Sequence, residues 1–390
     1  MEAINRPRAT LLTLAVTAAA LVGVRGIGVD TTSTASAATQ RSVGVGSRGD
    51  TTLSTSSATG VLAGSGPIGN TITTLLGPTT TTTSTSTSTS TTTSTTAPAP
   101  PAPQPSRTFA PSSGAWLGAF VNESGVTDDS RRQVDLEALE QRIGRTVDIA
   151  HRYRGWDEAL ITQLESDDRV EGRIPMLSWH GTNSLSITSG AEDAWIASQA
   201  SAVAAHGAPV LLRYGWEMEG DRNDSWTISP QSYVAAWRYL RAKFAASGAT
   251  NAVWVWCPMA ISFNNPSNPA LAYYPGADQV DWLCADGYNW APLRGKWRSF
   301  ETIFKGFNAW GAAQGKPLMI GETGVQEGEP DAKAHWFDDA TVSIKSMPAI
   351  KAFVYFDSMP KEYNWLLNSS PSAAEGFRRL SADPWFHQPH

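Results

Sequence analysis

This 390-residue sequence has few cysteines, few histidines and no excess of positive charge. The spacing of its two cysteines, Cys257 and Cys284, does not fit a zinc site, and a disulfide and two buried thiols are both open at this point. With 30 Lys and Arg against 36 Asp and Glu, the net charge of −6 argues against nucleic acid or an anionic membrane as a partner. We expect no cofactor and no metal site.

Tryptophan, cysteine and histidine are missing from the first 107 residues, where Ser, Thr, Ala, Gly and Pro dominate. Such a segment cannot bury enough apolar surface to offset its chain entropy, so we expect residues 38–107 to form a disordered linker. Its unbroken Ser/Thr tract (79–96), followed by a proline-rich stretch, is typical of a semi-stiff spacer. The remaining residues, 108–390, are numerous enough for one well-buried domain.

Long apolar runs are also scarce. The run at 10–24 follows Arg6 and Arg8 and precedes the small-residue cleavage site Ala35-Ser36-Ala37, so it predicts a signal peptide over residues 1–37. The run is short for a membrane span, and an uncleaved anchor is the alternative. We therefore expect a secreted, extracellular protein, free or held at the cell envelope, whose mature domain does not insert into a membrane.

Eight short apolar runs alternate with amphipathic stretches after residue 114. Each is rich in Val, Ile, Leu or aromatic residues and bounded by polar, Gly or Pro positions, as buried parallel strands are. The pattern predicts an α/β protein with a single (β/α)8 TIM barrel; a doubly wound sheet is the alternative, but no Gly-rich nucleotide turn supports it. The predicted strands are 116–121, 147–153, 174–179, 210–216, 252–257, 280–285, 317–321 and 350–356.

Two glutamates stand where strands four and seven are predicted to end, at the barrel face that carries chemistry. Alternation along strand four places Arg213 and Glu217 on one face, and Glu322 ends strand seven among glycines. Two carboxyl groups facing each other suit double displacement at a glycosidic bond. One attacks the anomeric carbon, and the other acts first as acid and then as base. We predict a carboxyl separation of about 5–5.5 Å, the retaining geometry.

The region from about Trp116 to Trp385 resembles glycoside hydrolase family 26. The resemblance is carried by four segments in order: 213–220 (RYGWEMEG), 273–282 (YYPG through VDW), 286–288 (DGY) and 321–324 (GETG). Characterised members are mainly β-mannanases, with some β-1,3-1,4-glucanases and xylanases.

The resemblance implies that Glu217 is the acid/base and Glu322 the nucleophile. It also implies that Tyr288 hydrogen-bonds the nucleophile and that the pair Trp179 and His180 lines the sugar site.

Two positions differ from the mannanases of that family. Trp216 stands where a sugar-contacting His is usual, and Glu219 stands where Asn is usual. The replacement at Trp216 leaves the choice between mannan and glucan open. We expect Glu219 to be exposed and without a role.

Tryptophans in predicted loops are candidates for stacking against pyranose rings, and we expect about half of Trp156, Trp226, Trp290 and Trp297 to touch sugar. Four others, Trp237, Trp254, Trp256 and Trp310, are assigned to the core by strand alternation or helical spacing. The predicted substrate-binding set is Arg213, Tyr288, His180, Trp179, Trp216, Trp226 and Trp290.

These features together predict a monomeric, secreted retaining β-glycanase. Its polysaccharide substrate would be cut at internal β-1,4 or mixed β-1,3-1,4 bonds of mannan or glucan. The alternative is a non-catalytic carbohydrate-binding or cell-envelope-attached protein on a barrel fold. The presence of both Glu217 and Glu322 favours the enzyme, because a decayed site would be expected to lose one of them.

Overall fold

The computed structural model describes residues 109–220 and 223–390. The signal peptide (1–37) and the linker (38–107) lie outside these residues and stay predictions. Among the described residues, no helix combines the length and apolar character needed to cross a bilayer.

Eight parallel strands close into one barrel in which each strand pairs with the next along the chain and β8 pairs with β1. This confirms the (β/α)8 prediction and excludes the open doubly wound sheet. The strands are β1 Trp116–Asn122, β2 Ile149–Arg154, β3 Ile174–Trp179, β4 Val210–Tyr214, β5 Ala252–Trp256, β6 Trp282–Asn289, β7 Leu318–Val325 and β8 Ile350–Ser358.

The helices that cover the barrel begin at residues whose side chains can cap a helix N-terminus. Ser229 caps the predicted helix after β4 by accepting from the Ser232 amide, and Pro230 fills its first turn. Thr162 and Glu165 form a capping box. The helices are α1 Asp129–Ile143, α2 Gln163–Val170, α3 Ser184–Ser189, α4 Asp193–His206, α5 Asp224–Thr227, α6 Pro230–Ala246, α7 Ala260–Phe263, α8 Phe300–Ala312, α9 Ala332–Ser346 and α10 Pro371–Ala382.

At three strands the difference between the predicted and the observed end changes the position of a site residue. β4 stops at Tyr214, because Gly215 takes a positive φ of 53° and turns the chain out of the extended conformation. β6 and β7 instead continue through the polar residues that follow their apolar runs, since Asp286 pairs in register with Glu322. Glu217 therefore lies in a loop beyond β4, and Glu322 lies inside β7 rather than at its end.

The floor of the barrel is filled by large aromatic side chains. Trp116 and Trp282, at the starts of β1 and β6, stack with ring centroids 5.7 Å apart. Phe109 packs on Trp116, and its carbonyl accepts from Trp282 Nε1 at 2.9 Å. The last residues described, 388–390, line the same depression as Phe109. Both ends of the barrel domain thus meet at its floor.

A disulfide joins Cys257, one residue after β5, to Cys284 of β6. Both sulfur-bearing side chains are fully buried in the cluster that fills the barrel interior. The pairing left open by the sequence is therefore a bond between neighbouring strands, directly beneath the polar layer described next.

Candidate active site

Glu322 projects from β7 into the upper layer of the barrel, where it is almost fully buried. The Tyr153 hydroxyl, from β2, donates to its Oε1 at 2.5 Å, and the Tyr288 hydroxyl, from β6, donates to its Oε2 at 2.5 Å. Arg213 Nη2 donates to Oε1 as well. The contact predicted for Tyr288 is therefore present. Donors from three different strands fix this carboxylate in one orientation.

The two tyrosines remain hydrogen-bond donors at neutral pH. Burial raises the pKa of both Tyr153 and Tyr288 well above the ordinary value, and the charge of Glu322 adds to the shift. Each hydroxyl therefore keeps its proton and directs it at a carboxylate oxygen.

Arg213 links the nearby polar groups from the middle of the barrel. Its Nη1 donates to both oxygens of Asp286 at 2.8 Å, and its Nε donates to Ser178 Oγ at 2.6 Å. Burial alone would lower the pKa of Arg213, but the carboxylates of Asp286 and Glu322 raise it above the ordinary value. The guanidinium is therefore a permanent cation that orients Glu322.

The prediction that Arg213 binds substrate is wrong for direct contact. Its side chain is completely buried, because polar groups from β3, β6 and β7 surround it. It can influence a substrate through the groups that it contacts, which include Glu322 and the ring of Trp216.

A neutral histidine extends the network on the far side of Arg213. His151, from β2, lies with its Nε2 2.7 Å from Ser178 Oγ, the hydroxyl that also accepts from Arg213. Burial lowers the pKa of His151 well below its ordinary value, and the charge of Arg213 lowers it further. The imidazole therefore adds no second positive charge beside the guanidinium.

Glu217 is positioned by main-chain bonds around a turn rather than by a strand. It has a positive φ of 49°, and its amide donates to the carbonyl of Cys257 at 2.8 Å. Its own carbonyl accepts from the Gly220 amide at 3.0 Å and from Asn223 Nδ2 at 2.6 Å. Non-glycine residues with such φ values are uncommon and concentrate at functional sites. The turn, not strand alternation, sets the direction of this side chain.

Two depressions meet at Glu217. One, of about 590 Å³, is lined by His180, Trp216 and Trp226. The other, of about 290 Å³, is lined by Asp286, Tyr288 and Trp290 together with the loop that follows β6. Glu217 lines both, so the open cleft continues on each side of this carboxyl group.

Five predicted substrate residues line this cleft, namely His180, Trp216, Trp226, Tyr288 and Trp290. Trp226 is largely enclosed, because its ring packs against Gly181, where an added Cβ would lie 2.2 Å from it. Trp290 is 37% exposed and presents much more of its face to solvent.

The prediction that Trp179 touches sugar is wrong. Its ring is completely buried and stacks on Trp156 with centroids 4.4 Å apart, while its Nε1 donates to the Trp156 carbonyl. Trp179 thus packs beneath its loop. Trp297 is 41% exposed. The assignment of Trp237, Trp254 and Trp256 to the core is confirmed, and the half-buried Trp310 packs against it.

Glu219, expected to be exposed and without a role, instead links two loops by hydrogen bonds. Its Oε1 accepts from the Met259 amide and from Ser262 Oγ, both at 2.8 Å. Burial raises the pKa of Glu219. The residue supports the turn that carries Glu217 by anchoring it to α7.

Residues 187–357 match the family model for glycosyl hydrolase family 26, a range that includes both Glu217 and Glu322. Endoglucanase H of Acetivibrio thermocellus is 31% identical over 282 residues, which cover 68% of this chain. The barrel belongs to glycosyl hydrolase family 26. The chain spans only 30% of the length of this curated relative.

Two solved structures share the family 26 barrel. A β-mannanase from Bacteroides ovatus is 18% identical, with a TM-score of 0.52 over 70% of this chain and 90% of that one. The catalytic domain of an endo-β-1,4-mannanase from Bacillus sp. JAMB-750 is 16% identical, with a TM-score of 0.53 over 70% and 86%. At these identities the likeness establishes the fold.

Sequence patterns did not predict Tyr153, Ser178 and His151 as members of this network, nor the role of Asp286. Tyr153 and His151 alternate along β2 and so point to the same side, which is the signal that could have placed them inside the barrel. Asp286 stood in a quoted motif without an assigned role. Only the closed barrel brings these side chains to Arg213 and Glu322.

One group of three potential metal ligands occurs in the described part of the chain, formed by Cys257, Cys284 and Asp286, with atoms within 4.8 Å of one another. Because the two sulfurs are bonded to each other, neither is a thiolate that could bind a metal. These residues do not fit a metal centre in the oxidised protein.

Proposed function

We propose that this family 26 barrel is a retaining endo-β-glycanase that cleaves internal bonds of a β-linked polysaccharide. The observation that carries the proposal is the placement of Glu322 among donors from three strands, while Glu217 lines an open cleft that Tyr288, one of those donors, also lines. A carboxylate held in one orientation suits a nucleophile, and a carboxyl on a turn in the cleft suits an acid/base.

In the first step a carboxylate oxygen of Glu322 bonds to the anomeric carbon as the glycosidic C–O bond breaks, and Glu217 transfers its proton to the departing oxygen. In the second step Glu217 removes a proton from water. The water oxygen then bonds to the anomeric carbon, and the bond to Glu322 breaks. Both residues return to their starting protonation states, and the configuration of the sugar is retained.

Endo action is supported by the shape of the cleft. Depressions continue on both sides of Glu217, so sugar units can be accommodated before and after the bond that is cut. Trp216 and Trp290 line opposite halves and offer aromatic faces to pyranose rings.

The substrate we propose is a mannan or glucan with β-1,4 or mixed β-1,3-1,4 linkages. The curated relative is named an endoglucanase, and the two structural neighbours are described as mannanases. We further propose that the protein is secreted, on the strength of the leader at 1–37 and the Ser/Thr tract at 79–96.

Two variants test the assignment. Glu322→Ala should abolish turnover of every substrate, because the glycosyl-enzyme bond cannot form. Glu217→Ala should retain activity on aryl glycosides with good leaving groups and lose it on polysaccharide, because only poor leaving groups need the proton. Initial rates on glucomannan, lichenan, xylan and an aryl β-glycoside measure both effects.

The matched control is Glu137→Ala, which removes an exposed carboxylate from α1. It should keep wild-type rates. Wild-type rates in both site variants would refute the assignment, and binding without hydrolysis by the unaltered protein would identify a carbohydrate-binding protein instead.

A further inference from the structure

Three cations line one half of the cleft. Arg294, Lys296 and Arg298 all belong to the loop after β6, and they line the same depression as Glu217 and Tyr288. All three are exposed, so their charges are available to a ligand. They stand out in a chain whose net charge is −6.

None of the three forms a salt bridge with a carboxylate in residues 109–220 and 223–390. Asp286, the buried carboxylate that lines this half, is engaged by Arg213. The fully exposed Glu362 is near enough to Arg294 to be influenced by its charge, but it lies beyond salt-bridge distance. Three cations thus face two lining carboxylates, Glu217 and Asp286, and Asp286 is already paired with Arg213.

The loop that carries these cations is fixed at its base. Asn289 is completely buried, and its Oδ1 accepts from the Ala291 amide at 3.3 Å and from the Arg298 amide at 3.4 Å. Gln326 Nε2 donates to the Trp290 carbonyl at 3.1 Å, which ties the loop to the end of β7. Fixed backbone positions lower the entropy lost when the cations bind a ligand.

Among the described residues, no Lys or Arg lines the opposite half of the cleft. Its ionisable lining residues are His180, Glu217 and Glu219. Arg and Lys side chains can hydrogen-bond the hydroxyls of a neutral glycan, but three cations on one side would attract an acidic sugar more strongly and orient it toward that side.

We propose that the half of the cleft formed by Arg294, Lys296 and Arg298 binds an anionic group on the glycan, such as a uronate carboxylate, adjacent to the bond that is cut. This inference rests on the proposed function and names the substrate class for the same site. The planar fork of Arg294 or Arg298 fits a carboxylate, and the exposed face of Trp290 supports the ring that carries it.

The test compares two forms of one polymer. A uronate-bearing β-glycan and its carboxyl-reduced counterpart share backbone and linkage and differ in charge. The readout is the ratio of kcat/KM on the acidic form to kcat/KM on the reduced form. We expect this ratio to exceed 1 for the unaltered protein and to fall about 2- to 5-fold for each of Arg294→Gln, Lys296→Gln and Arg298→Gln. This ratio should decrease toward 1 as the salt concentration is raised.

Arg378→Gln is the matched control, because it removes an exposed cation from α10, away from the cleft. Its ratio should equal that of the unaltered protein. A sulfated form of the reduced polymer tests whether any anion suffices or a carboxylate is required.

A ratio near 1 that no cleft variant changes would overturn the inference while leaving the glycanase intact. Absence of hydrolysis on both forms would refute the proposed function. In that case, binding of the acidic oligosaccharide that is weaker in the three cleft variants would still support the anionic site, and binding that is equal in all variants would refute it.

Discussion

Replacing Arg213 with methionine would leave two buried carboxylates without their cation. In the native protein Arg213 is fully buried between Asp286 and Glu322, whose side chains are 0% and 7% exposed. Removing one partner from a buried ion pair destabilises proteins by about 3–5 kcal/mol, because the orphaned charge cannot regain its water. We therefore expect Arg213→Met to lower the free energy of unfolding at pH 7 by about this amount, and to abolish hydrolysis by misplacing Glu322.

Chemical denaturation followed by tryptophan fluorescence measures the effect. Arg378→Met is the matched control, since the Arg378–Glu375 pair is exposed on the surface and should contribute little to stability. Arg213→Met combined with Asp286→Asn should regain part of the lost stability, because the double change removes one orphaned charge together with the cation.

The penalty should also depend on pH. Burial raises the pKa of Asp286, so below neutral pH this carboxyl can take up a proton once Arg213 is absent. The stability difference between Arg213→Met and the unaltered protein should therefore be smaller at pH 4.5 than at pH 7. A loss of stability no larger than that of the surface control would refute the view that Arg213 stabilises this layer.

Two further predictions concern stability. The double change Cys257→Ala and Cys284→Ala removes a disulfide between residues 27 positions apart. It should lower the free energy of unfolding, measured without reductant, by about 3–4 kcal/mol, because the unfolded chain is no longer constrained. A loss below about 1 kcal/mol would contradict this prediction. Burial lowers the pKa of Lys333 from 10.5 to about 8, so between these pH values the unfolded chain holds a proton that the folded chain lacks. Denaturation at pH 7.5 and at pH 10.5 measures the effect. From the lower to the higher pH, the free energy of unfolding of the unaltered protein should rise by about 3 kcal/mol relative to that of Lys333→Met. A difference between the two proteins that does not change with pH would contradict the lowered pKa of Lys333.

The barrel could be predicted from the sequence because its strands carry a local signature. The run 174–179 is apolar except for Ser178, as expected of a strand covered on both faces, and the structure has β3 with those same bounds. This signature does not show where a strand ends if polar residues follow its apolar run. β6 and β7 continue through Asp286 and Glu322, since these side chains point into the interior network and the backbone still pairs.

The two carboxylates could be located from the sequence, but their supports could not. Tyr153 reaches Glu322 across 169 positions of sequence, and only closure of the barrel brings the two together. The sequence also did not show which tryptophans would be buried. Trp179 ends one apolar run and Trp290 lies beyond another. Stacking on Trp156 encloses Trp179, whereas Trp290 is 37% exposed and lines the cleft. A local pattern does not show which partner a ring will find.

The meeting of both ends of the barrel domain at its floor has a practical consequence. Phe109 packs beneath β1, and Ser113 Oγ donates to the side chain of Gln388 at 2.9 Å, so the two tails start from neighbouring points. Parallel strands place Glu322 at the other rim. Immobilising the barrel on a bead or fusing it to a carrier through either tail should leave the carboxylates facing outward. A long polymer could then enter and leave without passing the attachment point.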